Sequence, residues 1–220
     1  MHLFIVRHGE CLGQCEPEHY NDPDSPLSSL GEWQAQRVAE RLASENITHI
    51  VSSPLIRALT TASKRAEATT VRPIEVWHDV REGFSTTHQG LAREVLQERF
   101  PLATFPDVIT ADGWMHGGDS YESFCGRCHT MLQAFREHFG PKDRVVLVTH
   151  GGFANYLLHA ILRIDSSTPR WFELENCAIS HVRFAPDPAK ERPNWPLYPP
   201  VEAEILSVND VSHLMGSIPT

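Results

Sequence analysis

Short apolar or β-branched runs recur along the chain at residues 3–6, 49–52, 74–78, 145–149, 178–184 and 204–208, and runs of that length and composition predict strands. Between them the period changes. Ala35, Val38, Ala39 and Leu42 follow the i, i+3, i+4, i+7 spacing of an amphipathic helix, and SLGE, from Ser29 to Glu32, reads as a capping box ahead of it. In SPLIRALTTA, Ser53 suits a helix cap and Pro54 the first helical position, with Leu55, Leu59, Ala62 and Ala66 on one face. That puts Arg57 in the first turn. Further helices are expected around 90–99, 120–139 and 153–163. The alternation predicts an α/β fold, a three-layer sandwich with a mainly parallel central sheet.

Two segments interrupt the pattern. Residues 83–119 hold glycines, prolines, Trp114 and MHGGDS, and an insertion of that length is expected to carry function as a lid or substrate wall. Phe84, Phe105, Trp114 and Met115 could form an apolar substrate wall there, or simply pack the insertion onto the core. Residues 185–200, APDPAKERPNWPLYPP, are proline-rich and predict an exposed connection before the last strand. No internal repeat is visible, and a length of 220 residues fits one domain spanning 1–220.

Composition narrows the function classes. With 41% hydrophobic and 21% charged residues the chain has the make-up of a globular protein. Its 28 acidic and 19 basic residues leave a net charge of -9, which argues against nucleic acid and anionic membrane surfaces as partners. An anionic substrate therefore needs a local basic pocket. The first apolar run is too short for a signal peptide, and none approaches the roughly 18 residues of a membrane helix, so a cytoplasmic location is expected. Five cysteines, an odd number, suit reduced thiols. CGRCH, from Cys125 to His129, matches a haem-attachment pattern. Tyr121, Phe124, Cys128, Met131, Leu132, Phe135 and Phe139 nevertheless recur at helical spacing, so the stretch reads as a helix that buries Cys128.

In open α/β sheets working residues collect beyond the carboxyl ends of the strands. The first predicted strand ends at Arg7 and His8, the second leads to Ser53 and Arg57, the third runs toward Glu82, and VVLVTHGG ends at His150. Any one of these has an ordinary structural explanation. Their conjunction, with both histidines followed at once by glycine, points to a site. Two guanidinium groups match the oxygens of a phosphate, and the amides after His150, at a helix start, would add donors, Gly151 among them. A neutral imidazole can attack phosphorus and form a phosphohistidine. A carboxyl group with a raised pKa would protonate the leaving oxygen and then take a proton from water, and Glu82 is the candidate. The scheme needs no cofactor and no metal, and no zinc-type spacing is present. A metal hydrolase built on His8, Glu10 and His150 is disfavoured, because His8 and Glu10 are two apart at a strand end.

RHGE at 7–10, LSSLGEWQA at 27–35, SSPLIRALTTA at 52–62, REGF at 81–84 and THGG at 149–152, with GGDS at 117–120, NCAISHVRF at 176–184 and VNDVSHL at 208–214, resemble the ordered motifs of the histidine phosphatase superfamily and its phosphoglycerate mutase-like fold. The likeness to its short, single-domain phosphatases spans nearly the whole chain. It implies His8 as the phosphorylated nucleophile, Arg7, Arg57 and His150 as the phosphate pocket, and Glu82 as proton donor. Gln14 and Ser28 stand at substrate-binding positions where relatives carry asparagine and threonine, and Asp119 replaces a common glutamate. Phosphoglycerate mutases of this family follow the acid with RHYG, which clamps a carboxylate; here Gly83, Phe84, Ser85 and Thr86 follow Glu82. The expected activity is thus hydrolysis of a small phosphorylated substrate. Mutase-type transfer and a non-catalytic phosphate- or phosphoprotein-binding module are the alternatives. The oligomeric state is left open.

Overall fold

The computed structural model describes residues 1–68, 73–168, 170–185 and 201–215. A seven-stranded sheet runs through the protein. It contains β1 (His2–Arg7), β2 (His49–Ser52), β3 (Ile74–Val76), β5 (Ala103–Thr104), β7 (Arg144–Thr149), β8 (Ile179–Phe184) and β9 (Ala203–Asp210), in the order β5-β3-β2-β7-β1-β8-β9. The five strands from β5 to β1 are mutually parallel, and β8 is antiparallel to both β1 and β9. The expected α/β sandwich with a mainly parallel sheet is the fold observed.

Alternate residues of each strand face opposite layers. Leu3 and Ile5 of β1, with Val145 and Leu147 of β7, pack against α5 (Tyr121–His138) and α6 (Gly151–Leu162) through Cys128, Phe135, Phe153 and Leu157. Phe4, Val6, Val146 and Val148 face the other way, onto Ala35 and Val38 of α2 (Ser29–Arg41) and Ala58 and Ala62 of α3 (Ile56–Glu67). Both faces are covered, which is why these strands read as unbroken apolar runs.

Several boundaries differ from expectation. The cap of α2 is Ser28, one residue earlier than the predicted box, and its Oγ accepts from the Gly31 amide at 3.1 Å. The second helix begins at Ile56 because Leu55 is extended, so neither Ser53 nor Pro54 starts it. Its first amide is capped from another segment, Asp24 Oδ1 accepting from Ile56 N at 2.6 Å. Strand β3 stops at Val76 and gives way to a 3-10 turn at His78–Val80. A short helix, α1 (Leu12–Cys15), was not predicted. The insertion is more regular than expected. In it β4 (His88–Gly90) pairs antiparallel with β6 (Trp114–His116), α4 (Arg93–Arg99) follows β4, and β5 joins the main sheet as its edge. Residues 186–200 of the proline-rich stretch lie outside the described residues. Among the described residues no helix is long and apolar enough to cross a membrane.

Candidate active site

The order β2-β7-β1 places three strand ends side by side, and their next residues are Ser53, His150 and His8. His8 continues the ladder, its amide donating to Thr149 O at 2.9 Å, and its ring is buried. Nδ1 lies 2.7 Å from the carbonyl oxygen of Gly9. A carbonyl only accepts, so Nδ1 carries the proton and Nε2 presents its lone pair. Arg57 Nε donates to that Nε2 at 3.2 Å while its Nη1 donates to Pro23 O at 2.8 Å. Burial above all, then the charges of Arg57 and Arg7, holds the His8 pKa well below the usual histidine value of 6.5, against the Gly9 contact. The imidazole is thus held neutral, and its Nε2 lone pair faces the Arg57 guanidinium.

His150 lies beside it, ring centroids 5.1 Å apart. It is fully buried, and burial, Arg57 and His8 hold its pKa well below 6.5 as well. Its Nε2 is 2.8 Å from Ser53 Oγ, and its Nδ1 has no partner among the described residues. Ser53 Oγ also accepts weakly from Leu55 N at 3.3 Å. The residue read as a helix cap therefore holds His150. Arg7 donates through Nη1 to Leu174 O at 2.6 Å, and its Nε is a buried donor without a partner among the described residues. Arg7 Nε and His150 Nδ1 are thus buried nitrogens without a partner among the described residues, a state that buried polar groups seldom keep.

Glu82 occupies the amino end of α6. Its Oε2 accepts from Gly152 N at 3.0 Å and its Oε1 from Phe153 N at 3.1 Å and Gly83 N at 3.0 Å. Two of the helix-start amides, those of Gly152 and Phe153, thus go to this carboxyl group, as the positive end of a helix favours. A Cβ at Gly152 would stand 2.6 Å from Glu82 Oε1, so a larger residue there would displace the carboxyl group. Gly151 keeps its place beside Arg7, its notional Cβ 3.4 Å from Arg7 Nε. Gly9, directly after His8, also meets a packing demand. A Cβ on it would meet the Gly31 carbonyl oxygen at 2.5 Å, so it lets β1 pass the start of α2.

A cavity of about 400 Å³ opens onto His8 and Arg57, with Gln14, Tyr20, Asp22 and Phe84 among its walls. Gln14 lies where expected, but its Oε1 is engaged by Cys11 N at 3.1 Å and Asn176 Nδ2 at 3.1 Å. Ser28 does not line the cavity: besides capping α2 it donates to Glu10 Oε1 at 2.6 Å. Of the suggested apolar wall only Phe84 lines the cavity. Phe105 and Trp114 pack with Leu55, Leu59 and Leu96 in a separate core cluster, and Met115 is exposed.

Sequence reasoning missed the loop at 20–25 that forms one wall, together with Asp24 and Asn176. Asn176 Nδ2 donates to His8 O at 3.0 Å. Burial pushes the Asp24 carboxyl up to about 7, against the Ile56 amide and Arg57. NDPDS carries only a turn signal, and Asn176 lies 168 residues from its partner. Among the described residues no group of three or more His, Cys, Asp or Glu side chains could hold a metal.

A model of the histidine phosphatase superfamily, branch 1, matches residues 3–192. The chain is 31% identical over 198 residues to a protein of Salmonella choleraesuis described as a probable phosphoglycerate mutase, the match covering 84% of this chain and 85% of that one. A mycobacterial glucosyl-3-phosphoglycerate phosphatase superposes with a TM-score of 0.57 at 27% identity, over 82% of this chain and 89% of its own. A phosphoserine phosphatase mutant of Entamoeba histolytica, in complex with phosphoserine, superposes with a TM-score of 0.64 at 22% identity, over 97% of this chain and 99% of that one.

Proposed function

Because the chain belongs to the histidine phosphatase superfamily, we propose that it hydrolyses a small organic phosphate monoester through a phosphohistidine on His8. The observation that carries this reading is the pairing of His8 Nδ1 with Gly9 O and of Nε2 with Arg57. It fixes the tautomer and aims the lone pair at the place where a guanidinium would hold a phosphoryl group.

Nε2 of His8 attacks phosphorus and the bond from phosphorus to the ester oxygen breaks. Glu82, in its acid form, gives a proton to that oxygen and the alcohol leaves. A water then attacks the phosphohistidine as Glu82 takes its proton, the P–N bond breaks, and inorganic phosphate departs with His8 neutral again. Arg57, Arg7 and a proton on His150 Nδ1 stabilise charge on the outer oxygens. No step calls on a metal or cofactor. Residues 1–220 act as one domain, with the insertion at 83–119 contributing Phe84 and His88 to the cavity wall. The five cysteines are unpaired thiols, which supports a reaction in the cytoplasm.

His8→Ala should abolish release of phosphate from a chromogenic aryl phosphate and leave the unfolding temperature near that of the parent. Turnover at the parent rate would overturn the assignment. Glu82→Gln should slow esters of poorly acidic alcohols by about 10²-fold or more, the usual contribution of a general acid, and activated aryl esters much less.

A second reading, mutase-type transfer, draws on the likeness to the Salmonella protein. Hydrolysis is favoured because Gly83, Phe84, Ser85 and Thr86 after Glu82 supply no cation to grip a substrate carboxylate. Incubation with 3-phosphoglycerate decides between the two: a hydrolase liberates inorganic phosphate, a mutase accumulates the 2-phospho isomer.

A further inference from the structure

Helix α5 carries a buried cation that the scheme above leaves without a task. Arg127 belongs to CGRCH, the stretch whose spacing imitates haem attachment. Its side chain is 9% exposed, and that of its ion-pair partner Asp119 is 10% exposed. Nη1 donates to Asp79 O at 3.0 Å and Arg81 O at 2.7 Å. Nη2 donates to Asp119 Oδ2 at 3.0 Å and, at the limit of a hydrogen bond, to Glu82 O at 3.5 Å. The guanidinium lies over the Phe124 ring at 4.9 Å and 5.8 Å from the centre of Phe153.

A buried charge survives where it is paired and hydrogen-bonded; both terminal nitrogens of Arg127 meet that condition, while its Nε has no partner among the described residues, and a rigid planar fork imposes its geometry on whatever accepts from it. Here three carbonyls from four consecutive residues, 79 to 82, bend around one guanidinium. The segment ends at Glu82, whose carboxylate is held from the other side by the amides of Gly152 and Phe153. Asp119 is fastened to the same loop, its amide donating to Phe84 O at 2.9 Å while Gly118 N donates to Thr86 O at 3.3 Å. Phe153 shares in both grips, through its amide to Glu82 and through its ring beside Arg127.

We propose that Arg127, neutralised by Asp119, is a positioning residue that sets where the Glu82 carboxyl group stands relative to the leaving oxygen. It acts through the carbonyls of the 79–82 loop and does not touch the substrate. This rests on the reading of Glu82 as the proton donor.

The test measures kcat/KM for phosphate esters of graded leaving-group acidity, from activated nitrophenyl to alkyl esters, with Arg127→Met, Arg127→Lys and Asp119→Asn beside Glu82→Gln and the parent protein. Inhibition by vanadate is measured on the same samples. Displacing the acid should slow alkyl esters of Arg127→Met by about tenfold to a hundredfold and nitrophenyl esters by less than about threefold, with vanadate inhibition unchanged. Arg127→Lys, which keeps the charge and part of the donor set, should recover much of the loss, and Asp119→Asn should show the same selectivity more weakly. If Glu82→Gln shows the leaving-group dependence and the Arg127 variants slow all esters alike or none, the positioning claim fails alone. If Glu82→Gln shows no such dependence, the acid lies elsewhere and the claim falls with that reading. Should Arg127→Met fail to fold, Arg127→Lys and Asp119→Asn decide by the same selectivity.

Discussion

At the residue scale, the chemistry proposed here is set by small contacts around two side chains. Gly152 is one such contact. A methyl group there would press on Glu82 Oε1 at 2.6 Å and push the carboxylate off the α6 amides. Gly152→Ala should therefore lower kcat/KM for alkyl phosphates by about tenfold, roughly 1.4 kcal/mol in the barrier, with a smaller effect on activated esters. Ser53 is the other. Its hydroxyl is the hydrogen-bond partner of the buried His150 Nε2, and losing one such bond is worth about 1 kcal/mol. Ser53→Ala should weaken vanadate inhibition about fivefold; unchanged inhibition would mean that His150 keeps its orientation without the hydroxyl. His8 and His150 were legible in the sequence because each directly follows a strand whose apolar run stops abruptly, and Arg57 because it falls in the first turn of the helix after such a strand. The tasks of Ser28, Ser53 and the α6 amides were not. A hydroxyl that caps a helix, one that holds a histidine and one that binds a ligand look alike in sequence, and only the partner distinguishes them.

Elements were legible in proportion to their length. Strands β1 and β7 are buried on both faces by helices, so their apolar runs were unambiguous, and α2 has a clear periodic stripe. Strands β4 and β6 span three residues each, too few for any period to show, and so the hairpin in the insertion was unseen. The start of α3 was misplaced because its cap comes from Asp24, 32 residues away, where local rules look for one beside the helix. That cap makes a prediction. Asp24→Ala should cost about 0.5–2 kcal/mol and loosen the loop that walls the cavity, lowering Tm and raising KM together. Asp24→Asn keeps the accepting oxygen and should stay near the parent. Equal losses in the two variants would show that the charge beside Arg57, rather than the cap, is what the fold needs there.

At the scale of the whole molecule, the burial that keeps the His8 ring unprotonated makes the fold sensitive to acid. Six histidines, His2, His8, His116, His150, His181 and His213, have pKa values lowered in the folded protein, His116 and His181 to about 4, with burial the largest cause each time. Below about pH 6.5 the unfolded chain binds protons at these positions that the native state refuses, so stability falls with pH until the folded pKa values are reached. Asp24 works the other way. Its carboxyl, raised to about 7, holds a proton in the native state that the unfolded chain gives up above about pH 3.9, so acidification below 7 favours folding by that one group. The histidines outnumber it, and His8 and His150 are both fully buried or nearly so. A net uptake of one proton on unfolding removes about 1.4 kcal/mol per pH unit, equivalent to about 3–6 °C for a chain of this size. Calorimetry should show Tm falling by at least about 4 °C between pH 7 and pH 5, with a shallower slope in His8→Asn. A Tm that rises over the same interval would mean that these rings are protonated in the native state. His8 would then lack the free lone pair that attack on phosphorus requires.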